Sequence, residues 1–84
     1  MADLARAAKL LEAGDGESAH RIVQADDSAL ACWGHGIVHA MEGDLDNARY
    51  WYRRARRRFP GAERVAAEIG AFKAATTRRT VARR

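Results

Sequence analysis

The Gly43-Asp44 pair most constrains how this chain can fold. It stands between two stretches of helical periodicity, the first from about Ala29 to Met41 and the second opening at Leu45. Glycine readily takes the left-handed conformation that ends a helix. Aspartate at the next position can accept the first free amide hydrogens of the helix that follows. The pair therefore predicts a tight corner with two antiparallel helices folded onto each other. In the second helix Leu45, Ala48, Tyr52, Ala55 and Phe59 recur at steps of three and four, a buried stripe with Trp51 at its edge. Pro60 disfavours helical geometry at Phe59, so the helix is expected to end there.

The flanks read in the same terms. Asp3 caps a first helix with Leu4, Ala7, Ala8 and Leu11 inward, and Gly14 suits its C-terminal end. A second helix, about Glu17 to Ala25, turns Ala19, Ile22 and Val23 inward. Asp26, Asp27 and Ser28 are cap candidates for the helix running to Met41. A fifth helix has Ala62, Val65, Ile69, Phe72 and Thr76 on its apolar side, with Arg64 and Glu68 placed to pair on its surface. The fold class expected is all-α: about five helices in a small bundle, one domain over residues 1–76 and a frayed basic tail over 77–84.

Much of the apolar content is alanine, which buries little area per contact. A chain of 84 residues with two Trp, two Tyr and two Phe has a thin core, so self-association is expected. The single cysteine, Cys32, excludes an intrachain disulfide framework and agrees with a reducing compartment. No apolar run approaches the ~20 residues of a membrane span, and no secretory leader pattern follows Met1. A soluble, cytoplasmic protein with no membrane partner is the expectation.

The net charge of +4 conceals an asymmetry. Residues 1–48 carry three Lys/Arg against nine Asp/Glu, and residues 49–84 carry twelve against two. The halves thus stand at −6 and +10. Such a split points to contact with an acidic surface or nucleic acid, or to acidic and basic halves packing within one chain or head-to-tail between copies.

A weak duplication underlies the pattern. Gly14-Asp15 with Ala19 and Val23 matches Gly43-Asp44 with Ala48 and Tyr52, 29 residues apart. At these residues the chain resembles tetratricopeptide-type helical repeats (the TPR and Sel1 type). Counting from Ala29, Gly36, Ala48, Tyr52, Ala55 and Pro60 fall on that family's small, aromatic, small and proline positions. The resemblance covers one good unit, residues 29–60, and a degenerate one before it. It implies helical hairpins, a capping fifth helix and a protein-binding role. Cys32, His35 and His39 depart from the family's bulky apolar positions, and Asp26 stands where the first copy should have alanine.

Leu30, Trp33, Ile37 and Met41 form the most apolar arc of the third helix, on the side that faces the groove in that family. This arc is either an apolar partner site or a face filled by another helix or subunit. On a helical wheel Tyr50, Arg53, Arg54 and Arg57 share a solvent face, three guanidinium forks beside a ring. That face suits an acidic protein partner, or alternatively phosphate and an unpaired base, with Arg78, Arg79, Arg83 and Arg84 as a basic arm. No helix-turn-helix, zinc finger or RNA-binding signature accompanies it.

Cys32, His35, His39 and Glu42 lie on one stripe and offer zinc-ligand chemistry. No second ligand pair exists, His20 being the one spare, so they read as boundary residues. Cys32 beside His35 lacks an oxyanion hole or a third orienting group. The sequence therefore predicts no enzyme, no cofactor and no metal. It predicts a small protein–protein interaction module, self-associating with a homodimer as the candidate form, and a nucleic-acid role as the alternative.

Overall fold

The computed structural model describes residues 2–81, and all regular structure among them is helical. The order is α1 (Leu4–Glu12), α2 (Gly16–Val23), α3 (Ala29–Met41), α4 (Leu45–Arg54), a 3₁₀ turn (Ala62–Arg64) and α5 (Val65–Val81). The pairs α1/α2 and α3/α4 are helical hairpins, and α5 packs across α1 and α3.

Local chemistry sets the helix starts. Asp3, Asp15, Ser28 and Asp44 each accept an amide hydrogen of the first turn, from Arg6, Ser18, Ala31 and Asn47. Both Gly-Asp corners have one geometry. Gly14 and Gly43 sit at φ +81, and the amides of Asp15 and Asp44 reach back to Leu10 and His39 carbonyls at 2.9 and 3.0 Å. The paired positions then behave alike: Ala19 and Ala48 are wholly buried, as are Val23 and Tyr52. The two corners and the positions that follow them thus share one local geometry.

The central element is α3, buried without interruption from Ala31 to Val38. Its glycines make that possible. A Cβ on Gly36 would come within 2.5 Å of the Tyr52 ring, and one on Gly34 within 2.7 Å of Phe72 and 3.2 Å of Val23. Small residues bring α4, α2 and α5 close to the α3 backbone, so Tyr52 and Phe72 fill the gaps between helices with few large side chains. Full burial of each ring contributes roughly 1.5–3 kcal/mol.

Three boundaries differ from the sequence reading. First, α4 ends at Arg54, well short of Phe59. Arg56 adopts φ 62, and the amides of Arg56 and Arg57 bond to the Arg53 and Tyr52 carbonyls, closing the helix as a Schellman cap. The chain then doubles back to set Phe59 edge-on against Tyr52, with ring centroids 5.1 Å apart. Second, α5 continues to Val81, past the frayed tail expected from Thr77. Third, Ala62 is exposed in the 3₁₀ turn and adds nothing to the apolar side of α5, whose buried members are Phe72 and Thr76.

Candidate functional site

The apolar arc of α3 is divided. Ile37 is fully buried and Trp33 is 4% exposed, because α5 lies over them and sets Phe72 edge-on to the Trp33 ring, with centroids 5.5 Å apart. Met41, half-buried, sits at the corner end beside Gly16 of α2. Of the four residues, Leu30 and Trp33 border a cleft. It is a surface cleft of about 320 Å³, lined also by Ala55, Arg57, Ala74 and Arg78. Of the two possibilities for this face of α3, the structure has it covered by α5, and this cleft is what remains near the helix's N-terminal end.

Arg57 closes one side of the cleft. Because α4 stops at Arg54, Arg57 does not share a helix face with Tyr50 as the wheel suggested. Its guanidinium carbon instead lies 3.5 Å from the centroid of the Trp33 ring, a cation–π contact. Tyr50 and Arg54 do stay together on α4: Arg54 donates to the Tyr50 hydroxyl at 3.2 Å, and its guanidinium also stands 5.2 Å from the Trp51 ring centroid. Arg53 and Arg58 are exposed and enter no ion pair among the described residues. Of the basic arm, Arg78 belongs to α5 at the cleft, while Arg83 and Arg84 lie outside the described residues.

Beneath the cleft a polar junction ties three helices together. Oε1 of Glu68 on α5 accepts from Trp33 Nε1 at 3.1 Å and from the Tyr52 hydroxyl at 2.6 Å. The surface pairing of Glu68 with Arg64 is therefore not formed. Glu68 turns inward because two buried ring donors need an acceptor there, and a carboxylate satisfies both at once. Burial, reinforced by the hydrogen bond to Glu68, drives the Tyr52 phenol pKa far above the usual tyrosine range.

The third feature is a histidine cluster. His20 of α2 meets His35 and His39 of α3, and one ring nitrogen from each lies within 4.8 Å of the others. His35 stacks on Trp51 of α4 with centroids 3.8 Å apart and planes 8° off parallel. His39 Nδ1 is 3.0 Å from Glu42 Oε1. Burial, then repulsion from His20 and His39, lowers the His35 pKa to about 4, leaving the imidazole neutral at pH 7. The grouping differs from the Cys32–His35–His39–Glu42 stripe of the sequence. Cys32 points to the Asp27 carbonyl, 3.9 Å from its sulfur, and burial pushes its thiol pKa up. His20, the spare residue, takes its place.

No family model matches this chain, and searches of curated proteins and of solved structures likewise return no match. Among the described residues no helix is long and apolar enough to cross a membrane.

What sequence reasoning missed has a common origin. His20 reaches His35 across 15 positions, and Glu68 reaches Trp33 across 35. Neither contact leaves a local signature.

Proposed function

We propose that this protein is a non-enzymatic protein–protein interaction module on a tetratricopeptide-like scaffold, and that the partner is a second copy of itself. One observation carries the reading: the molecule is electrically polarised along its hairpins. Gly16 packs beside Met41 and Val38, so the two Gly-Asp corners adjoin. Asp15, Glu17, Glu42, Asp44 and Asp46 are exposed around them. At the far end of α4, Arg53, Arg54, Arg56 and Arg58 are exposed, with Arg57 and Arg78 at the cleft; the acids near them include Asp27 in the α2–α3 loop and Glu68 beneath the cleft.

The two ends attract when copies meet acidic corner to basic end. Half-buried Met41 and Leu45 at the corner supply apolar surface for the Leu30/Trp33 cleft of the next copy. Long-range attraction sets the encounter, and cleft burial adds the persistence that exposed ion pairs lack. Sedimentation across protein concentration and salt tests the proposal: mass above that of the monomer at low salt, reverting at high salt.

A second reading, nucleic-acid association, rests on Tyr50, the exposed large aromatic at 44%, lying beside Arg54. An exposed ring and a guanidinium can stack an unpaired base and contact phosphate. Unchanged electrophoretic mobility of single-stranded DNA and RNA at low salt would remove this reading.

A further inference from the structure

We propose that His20, His35 and His39 bind one divalent transition-metal ion of the zinc class, pinning the N-terminal hairpin to the second. The three imidazoles come from two helices that meet by packing, with a nitrogen of each within 4.8 Å of the others. A tetrahedral ion at about 2.05 Å from each nitrogen separates ligands by about 3.3 Å. His20 and His39, both half-buried, are the ligands whose side-chain torsions would have to change to close that gap.

The surroundings suit a metal ligand set. His35 is held flat against Trp51, which fixes its ring plane. Glu42 contacts His39 Nδ1, leaving Nε2 as the ligand atom, and a carboxylate behind a coordinating imidazole orients it and raises its basicity. Three imidazoles without a thiolate favour Zn²⁺, Ni²⁺ and Cu²⁺ over Mg²⁺ or Ca²⁺. The fourth coordination position is left for water or a side chain from outside the triad. None of its three ligands lines the cleft, while Glu42 behind His39 is shared with the acidic corner of the self-association reading.

The test uses the full chain made without a histidine tag, stripped with chelator and titrated with ZnCl₂ by calorimetry. Saturation at one equivalent is expected, with unchanged binding in Cys32→Ser. His20→Ala and His39→Ala should each weaken binding at least tenfold, and Glu42→Gln by roughly tenfold or more. In wild-type protein the imidazole NMR signals of all three histidines, the only ones in the chain, should shift together at one equivalent. This last readout needs no variant to fold. No saturable uptake, histidine signals that stay in place, uptake unaltered in a folded His20→Ala variant, or uptake lost in Cys32→Ser would each overturn the proposal.

Discussion

Gly36 and Tyr52 meet so closely that a Cβ on the glycine would stand 2.5 Å from ring atom Cδ1 and 3.2 Å from the Ala48 carbonyl oxygen. Tyr52 is 1% exposed, so the ring has little room to retreat. Gly36→Ala should therefore destabilise. Overpacking costs about 1–3 kcal/mol, more than the gain in helix propensity of about 1 kcal/mol. Gly70 provides the opposite case, because nothing lies within 4 Å of a Cβ built there. Gly70→Ala should raise stability by about 0.5–1 kcal/mol, and urea denaturation of the two variants should give opposite signs.

Arg56 occupies at φ 62 the position that Gly14 and Gly43 fill in the other two Schellman caps. A side chain there costs about 1 kcal/mol relative to glycine. Arg56→Gly should stabilise by roughly that amount, whereas Gly43→Ala should destabilise by a similar amount. Thermal unfolding of both variants checks the pair.

Glu68 Oε1 accepts from both Trp33 Nε1 and the Tyr52 hydroxyl. Glu68→Ala should cost about 2 kcal/mol by leaving two donors without it, and should shift the tryptophan emission. Glu68→Gln keeps a carbonyl oxygen at that place and should lose less than half as much. Equal losses in the two variants would mean that the junction does not work through its acceptor.

The same junction gives a pH dependence. The folded-state pKa of Tyr52 lies above its ordinary value of 10.0, through burial and the hydrogen bond to Glu68. As pH rises past 10.0 the unfolded chain loses this proton first, so stability is full below that pH and falls above it. In Tyr50→Phe protein Tyr52 is the only phenol left. Its phenolate absorbance should appear only together with loss of helix. Ionisation near pH 10 with the helices intact would contradict the buried placement.

Sequence and structure agree where one residue governs its own neighbourhood. The caps at Asp3, Ser28 and Asp44, the two glycine corners and the inward alanines follow from backbone chemistry within a few positions, and the all-α class follows with them. Agreement stops at Arg54: Ala55 and Phe59 continue the helical period, and arginine carries no signal for a left-handed stop. Arg57 consequently reaches Trp33, which no wheel would place beside it. Glu68 on an alanine-rich helix reads as a surface residue until two ring donors arrive from α3 and α4. For Trp33 and Ile37, the apolar period left open whether they face a partner or lie under another helix. The answer, α5, depends on how the fifth helix crosses the hairpins.

Polarity along the hairpins is the claim on which the functional reading stands, and sedimentation velocity tests it most directly. At low ionic strength the average mass should rise above the 9.3 kDa monomer as protein concentration increases. It should return to the monomer in high salt, and in Arg53→Glu/Arg58→Glu protein, whose altered residues touch neither core nor cleft. A mass of 9.3 kDa at every concentration and salt would contradict the account.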